Sequence, residues 1–231
     1  MSKGRRVVTA AALLVLTPSA SLAATAAKTA ARHDWTHTFS VSEDGGFVMG
    51  KPNAKIEIVE YGSLTCPHCR HFAETAIKPL LAGYVRSGKA SYEYRSLTLN
   101  TIDVAATLVA RCDGPKHFFP IAEELYATQP TWVAKITNAD TDKLNALPAD
   151  EMMLGVAKVA GLLSLAASHG IPEAKAETCL KDQSAADQLA QMVQAAEDRG
   201  VQGTPTFFVN GKQVPAYDWQ TLEPFLKEAG G

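Results

Sequence analysis

The segment Lys55-Ile56-Glu57-Ile58-Val59-Glu60-Tyr61-Gly62-Ser63-Leu64-Thr65-Cys66-Pro67-His68-Cys69-Arg70-His71-Phe72 changes character halfway along. Its first seven residues are rich in β-branched and aromatic side chains and read as a buried strand. Beyond Cys66 the period changes. Phe72, Ala76, Leu80 and Tyr84 recur at helical spacing, which predicts a helix from about Cys66 towards Arg86, with Pro79 as a kink point. Two cysteines three residues apart therefore sit where a strand hands over to a helix.

Working outward, a first strand is expected near Thr38–Val41. A turn follows at Glu43-Asp44-Gly45-Gly46, then a short apolar piece, Phe47-Val48-Met49-Gly50. Ser91-Tyr92-Glu93-Tyr94-Arg95-Ser96-Leu97 alternates as another strand. From Asp103 to about Arg199 the pattern is helical, interrupted at Gly114-Pro115, Gln129-Pro130, Pro148 and Gly170-Ile171-Pro172. Strands return at Thr206-Phe207-Phe208-Val209 and Lys212-Gln213-Val214. Asn210-Gly211 between them signals a tight hairpin, because both central positions need positive φ. A last amphipathic helix is expected from Trp219 to Glu228. The class is α/β. Residues 38–102 and 200–231 form one unit, and residues 103–199 form a helical insertion.

The placement of the cysteine pair has chemical meaning. Thiol–disulfide exchange needs a thiolate, and unpaired amides at a helix N-terminus favour one. Cys66, at the exposed end, is the attacking or leaving sulfur, and Cys69 is one turn on as its partner. Pro67 suits the first helical turn, where a missing N–H loses nothing. His68 offers a donor and partial positive charge beside Cys66, which would stabilise the reduced pair and make the disulfide a stronger oxidant. A zinc site using His68 and His71 as further ligands is disfavoured, because Cys112 and Cys179 do not form a second matched pair. A purely structural bond is disfavoured too, since so short a loop restrains the unfolded chain little.

Cys66-Pro67-His68-Cys69 after an apolar strand resembles the active site of DsbA-like disulfide oxidoreductases of the thioredoxin superfamily. Gly203-Thr204-Pro205-Thr206-Phe207-Phe208-Val209-Asn210-Gly211, with Pro205 lying 139 residues after Cys66, is similar to that family's cis-proline segment. The resemblance runs from about Phe47 to the C-terminus. It implies a thioredoxin fold with an inserted helical domain, and a dithiol oxidase that donates a Cys66–Cys69 disulfide to folding exported proteins through a mixed disulfide. It implies no cofactor beyond that disulfide. It also implies a cis Pro205 that sets the Thr204 backbone against the sulfurs to pair with substrate, and a buried acid, Glu60, serving the Cys69 proton. A second disulfide, Cys112–Cys179, is implied in the helical block; closing that loop would contribute on the order of 4 kcal/mol. A quinone-coupled membrane protein of the DsbB type is the implied reoxidant. Thr204, where some oxidases of this family carry Val, leaves an isomerase or reductase as the alternative. A non-catalytic binding or chaperone module is the other, disfavoured by retention of both Cys66 and Cys69.

The N-terminus sets the compartment. Lys3, Arg5 and Arg6 precede an apolar run, Val7 to Leu16, too short to span a bilayer; Ser21-Leu22-Ala23 supplies small residues for cleavage. Residues 1–23 read as a secretory signal peptide, and 24–37 as a flexible arm, placing the mature protein in the periplasm. Removing the signal moves the formal net charge from −2 to −5, which disfavours nucleic acid and membrane surfaces as partners. The four cysteines all lie in the mature chain, and their number alone leaves three pairings open. No heptad stalk is present, so a monomer is expected. His33 and His37 read as isolated, and His117 and His169 as surface residues near helix ends. Met152, Met153, Leu154, Phe118, Phe119, Trp132, Leu162 and Leu163 read as core.

Overall fold

The computed structural model describes residues 33–230 together with Met1 and Gly4. The expected signal peptide (apart from Met1 and Gly4) and the expected arm through residue 32 fall outside the described residues. Residues 34–37, assigned to the arm on sequence, instead form an ordered turn. Trp35–His37 is a 3-10 helix capped by the Asp34 side chain on the Thr36 N–H. The turn is tied down where Trp35 N donates to Arg86 O at 3.2 Å and Asp34 meets the Arg86 guanidinium at 3.3 Å. His33 packs edge-on against Trp35.

The six strands are β1 (Phe39–Val41), β2 (Phe47–Gly50), β3 (Ile56–Gly62), β4 (Ala90–Ser96), β5 (Thr206–Val209) and β6 (Lys212–Val214). They form one sheet in the order β1-β2-β4-β3-β5-β6. Only β3 and β4 run parallel, Ile58 facing Tyr92 and Glu60 facing Tyr94. Their crossover is the helix beginning at Pro67, as a parallel pair requires. β5 lies antiparallel on the other side of β3, with Tyr61 opposite Thr206. This order brings the end of β3 beside the start of β5, although more than 140 residues separate them in the chain. The β5–β6 hairpin turns through Asn210 (φ 48°) and Gly211 (φ 78°), both positive as an Asn-Gly turn needs.

Phe72, Ala76, Leu80 and Tyr84 are all buried, so the helical period identifies the inner face. Pro79 has no N–H to give to the preceding turn. The helix widens into π turns at Ala73–Ile77 and Leu81–Val85 on either side of it, absorbing the mismatch.

The helical block begins slightly earlier than expected, at Thr101–Arg111, capped by Asn100. It continues through Pro115–Ala127, Gln129–Thr137, Thr141–Asn145, Ala149–Ala160, Leu162–Ser168, Glu173–Leu180 and Gln183–Asp198. Gly161, at φ 81°, ends one helix and starts the next, a break not foreseen from the sequence. The block does not have a core of its own: one apolar cluster runs through it and through the sheet. Phe118 is fully buried at the join, with ring centroids 5.3 Å from Phe47 and 5.0 Å from Tyr94. Burying such a ring contributes about 1.5–3 kcal/mol. Trp132, Leu162 and Leu163 are buried as expected, whereas Phe119 is half-buried. His169 is also half-buried, facing the Glu124 carboxylate. The sulfurs of Cys112 and Cys179 are bonded, joining the end of the first helix of the block to its penultimate helix.

Candidate active site

β3 ends at Gly62, and four residues later the chain enters a helix. Cys66 is the N-cap, with extended backbone (φ −78°, ψ 122°), and Pro67 occupies the first helical position. No side-chain cap bond is made there, so the first amides of the helix remain available to the Cys66 sulfur. Across from it, the Thr204–Pro205 peptide is cis at the entry to β5. Cys66 Sγ lies 3.3 Å from the Thr204 carbonyl oxygen and donates to it as a thiol. The two halves of the site, distant in sequence, therefore meet at one sulfur.

The two thiols differ in acidity. Cys66 is pushed down to about 5, chiefly because the Cys69 S–H donates to its thiolate. The Thr204 side chain and the backbone amides of Cys69 and His68 act in the same direction, against the opposing effect of burial. The Thr204 hydroxyl is buried and has no other partner, which leaves it free for the thiolate. Cys69, wholly buried, is pushed well above the ordinary thiol range by burial first, then by Cys66 and Glu60. One of the pair is thus a thiolate at neutral pH while its partner keeps its proton.

Two sequence expectations change here. Cys66 was expected at the exposed end, but it is only 5% exposed, because the helix start and the Thr204–Pro205 segment close over it. His68 was expected to offer a donor and partial positive charge beside Cys66. What it gives the sulfur is its backbone N–H, while the exposed ring lines a groove. That groove, of about 390 Å³, is formed by His68, His71, Thr204, Pro205 and Tyr217. Tyr217 is 58% exposed. It lies in a loop before the final helix and carries no motif, so the sequence reading passed over it.

Glu60 is buried in β3, and its carboxylate accepts from the Tyr92 hydroxyl at 2.5 Å. Burial raises its pKa to about 8, so it holds a proton at neutral pH. Its placement has a sequence signal: Glu60 shares the strand parity of Ile56 and Ile58, hence their buried face.

Two further polar residues were missed. Asp103, fully buried, accepts from Ser63 Oγ (2.5 Å), Leu64 N (2.9 Å) and Leu99 N (3.0 Å). Gln129 donates from Nε2 to the carbonyls of Leu64 (2.8 Å) and Cys66 (3.1 Å). In sequence Asp103 looks like an ordinary first-turn acid and Gln129 like a residue at a helix break, and neither gives a local sign of reaching residues 63–66.

Comparison with known proteins agrees with this geometry. A family model described as Thioredoxin matches residues 42–228. A provisionally named protein-disulfide oxidoreductase of Rickettsia prowazekii is 28% identical over 194 residues, which cover 83% of this chain and 64% of that protein. The chain thus spans less than two thirds of that relative's length. The crystal structure of a protein-disulfide isomerase from Novosphingobium aromaticivorans is similar at TM-score 0.73 and 27% identity, over 80% of this chain and 97% of that one. Wolbachia pipientis alpha-DsbA1 shares the fold at TM-score 0.66 and 18% identity, over 82% of this chain and 92% of its own.

Proposed function

This chain belongs to the thioredoxin family, and from that we propose that it is an exported DsbA-like thiol–disulfide oxidoreductase working in the oxidising direction. The observation that carries the reading is the seating of Cys66 Sγ on a helix N-terminus, 3.3 Å from the Thr204 carbonyl of the cis-proline segment. The names of the Rickettsia and Novosphingobium relatives support the reaction class.

The reaction starts from the Cys66–Cys69 disulfide. A substrate thiolate attacks Cys66 Sγ, the Cys66–Cys69 bond breaks, and a mixed disulfide forms on Cys66. Cys69 leaves with the electron pair and takes a proton. Glu60, protonated at neutral pH, is the nearby buried acid that can supply it. A second substrate thiolate then attacks the substrate sulfur of the mixed disulfide, and Cys66 departs as a stabilised thiolate. Two electrons have moved from substrate to protein, and the substrate has gained a disulfide. Thr204 and Pro205 present an extended backbone edge beside the groove for the substrate segment. The substrates are exported proteins with free thiols, met in the periplasm after signal cleavage. A membrane protein of the DsbB type returns the pair to the disulfide, and the enzyme acts as a monomer. The Cys112–Cys179 bond takes no part in the exchange and serves stability.

The test is the equilibrium of Cys66–Cys69 with glutathione, together with oxidation of a dithiol peptide. The oxidase reading expects a strongly oxidising pair and loss of peptide oxidation in Cys66→Ser. A pair as reducing as that of thioredoxin would overturn the oxidase direction. Likeness to the Novosphingobium isomerase favours isomerisation as the second reading, which an intermediate potential with efficient rearrangement of scrambled disulfides would support.

A further inference from the structure

We propose that Asp103 and Gln129, both in the helical block, are positioning residues for the redox turn, holding residues 63–66 so that the Cys66 sulfur stays on the helix amides. The proposal rests on the oxidoreductase reading of Cys66 and deepens it.

The turn Ser63–Cys66 has to be held by something, since a short link between a strand and a helix has many conformations of its own. Following its polar groups shows what holds it. Ser63 Oγ and Leu64 N both donate to Asp103. The Ser63 carbonyl accepts from the Tyr126 hydroxyl at 3.1 Å, as well as from Cys66 N. The carbonyls of Leu64 and Cys66 both accept from the single Nε2 of Gln129, which clamps the backbone on either side of Thr65. Thr65 Oγ1 accepts from Asn100 Nδ2 at 3.2 Å. Among the described residues, every side chain beyond the turn that bonds its backbone or the hydroxyls of Ser63 and Thr65 comes from residues 100–129, at the start of the helical block.

Asp103 is the unusual member. It is fully buried, and among the described residues no cation pairs with it. A carboxylate in that setting is tolerated only because its oxygens accept several hydrogen bonds. Those bonds come from the loops at the C-terminal ends of two adjacent parallel strands, Ser63 and Leu64 after β3 and Leu99 after β4. One side chain thus fixes the spacing of both loops at the end of the sheet where the sulfurs lie. Neither Asp103 nor Gln129 hydrogen-bonds either sulfur, so their effect on the chemistry passes through the backbone. The low pKa of Cys66 depends on the amides of His68 and Cys69 keeping their aim. A turn free to shift would lose part of that stabilisation.

The experiment uses the full-length reduced protein and its variants Gln129→Met and Asp103→Asn. Cys66 is titrated by thiolate absorbance, and each variant is equilibrated with glutathione. Gln129→Met removes both donors while keeping the side chain's length. It is expected to raise the Cys66 pKa by about half a unit, which makes the disulfide about threefold less oxidising. Asp103→Asn places an N–H against Leu99 N and is expected to give a larger shift in the same direction. Trp132→Phe serves as the control for general loosening of the block. The Trp132 indole donates to Leu125 O at 2.8 Å and makes no bond to the turn. This control is expected to lower the unfolding midpoint and leave the Cys66 titration in place. An acidic Cys66 that neither Gln129→Met nor Asp103→Asn moves would overturn the clamp alone, as would an equal shift in Trp132→Phe. If Asp103→Asn does not fold, Gln129→Met decides. A wild-type Cys66 of ordinary acidity would instead remove the oxidase reading on which the clamp rests.

Discussion

The molecule contains two cysteine pairs that share an element and differ in every physical respect. Cys66 and Cys69 are three residues apart on a helix start, both free thiols here, one strongly acidic and the other strongly not. Cys112 and Cys179 are 67 residues apart, bonded and half-buried, and join two helices. A bond that closes a long loop restrains the unfolded chain, so it serves stability. A bond across three residues restrains almost nothing, and its free energy is set by how well the site stabilises the broken form. The surroundings of the first pair all bear on that broken form: helix amides, the Thr204 hydroxyl and a protonated Glu60.

The largest expected effect that would break this contrast is on turnover. Cys66→Ser should abolish dithiol oxidation, a loss of more than about a thousandfold, as for removal of a covalent nucleophile. Replacing Cys112 and Cys179 together by Ala should leave the rate within about twofold while reducing stability by about 2–4 kcal/mol in urea unfolding. If the rate fell with the second pair as with the first, the division of labour would be lost.

The next effects concern pH. Cys66 titrates lower in the folded protein than in the unfolded chain. Between pH about 5 and 9 the unfolded chain holds a proton that the folded one has released, so Cys66 contributes stability to the reduced form as pH rises. The gain is at most about 1.4 kcal/mol per pH unit, and less to the extent that water screens the thiolate. The oxidised form has no such thiolate and retains the effect of Glu60, which runs the other way. A carboxyl raised to about 8 keeps its proton in the fold, so stability falls as pH rises from about 4.5 through 8. Unfolding curves of the two redox forms should therefore diverge with rising pH, and Glu60→Gln should flatten the oxidised curve. Parallel curves would contradict the acidity of Cys66, and an oxidised curve left unchanged by Glu60→Gln would contradict that of Glu60.

The smallest effect is that of Tyr92→Phe. Removing the hydroxyl that donates to Glu60 should raise the Glu60 pKa further and destabilise by about 1 kcal/mol, read as an upward shift of the pH limb that Glu60 controls.

How much of this was legible in the chain depends on how local each cause is. The Asn210-Gly211 turn, the inner face Phe72–Tyr84 and the cysteine pair at a strand–helix handover all follow from neighbours within a few residues. Glu60 was half legible, since its strand parity gives the buried face but not Tyr92 as partner. Gly161, inside a helical pattern, gave no local sign of the break it makes. Tyr217, Asp103 and Gln129 gave no local sign of the site they serve, because their partners are reached only through the packing of other elements.

By itself, then, the sequence determined the elements, their order and the chemistry of Cys66-Pro67-His68-Cys69, because period, turn geometry and helix capping are short-range. Only the tertiary structure decided that Thr204 meets the Cys66 sulfur, that the sulfur is nearly covered, and that the helical block grips residues 63–66. Each of these depends on β5 lying beside β3 and on the block packing across the ends of β3 and β4, an arrangement set by burial of one shared apolar core rather than by any local signal.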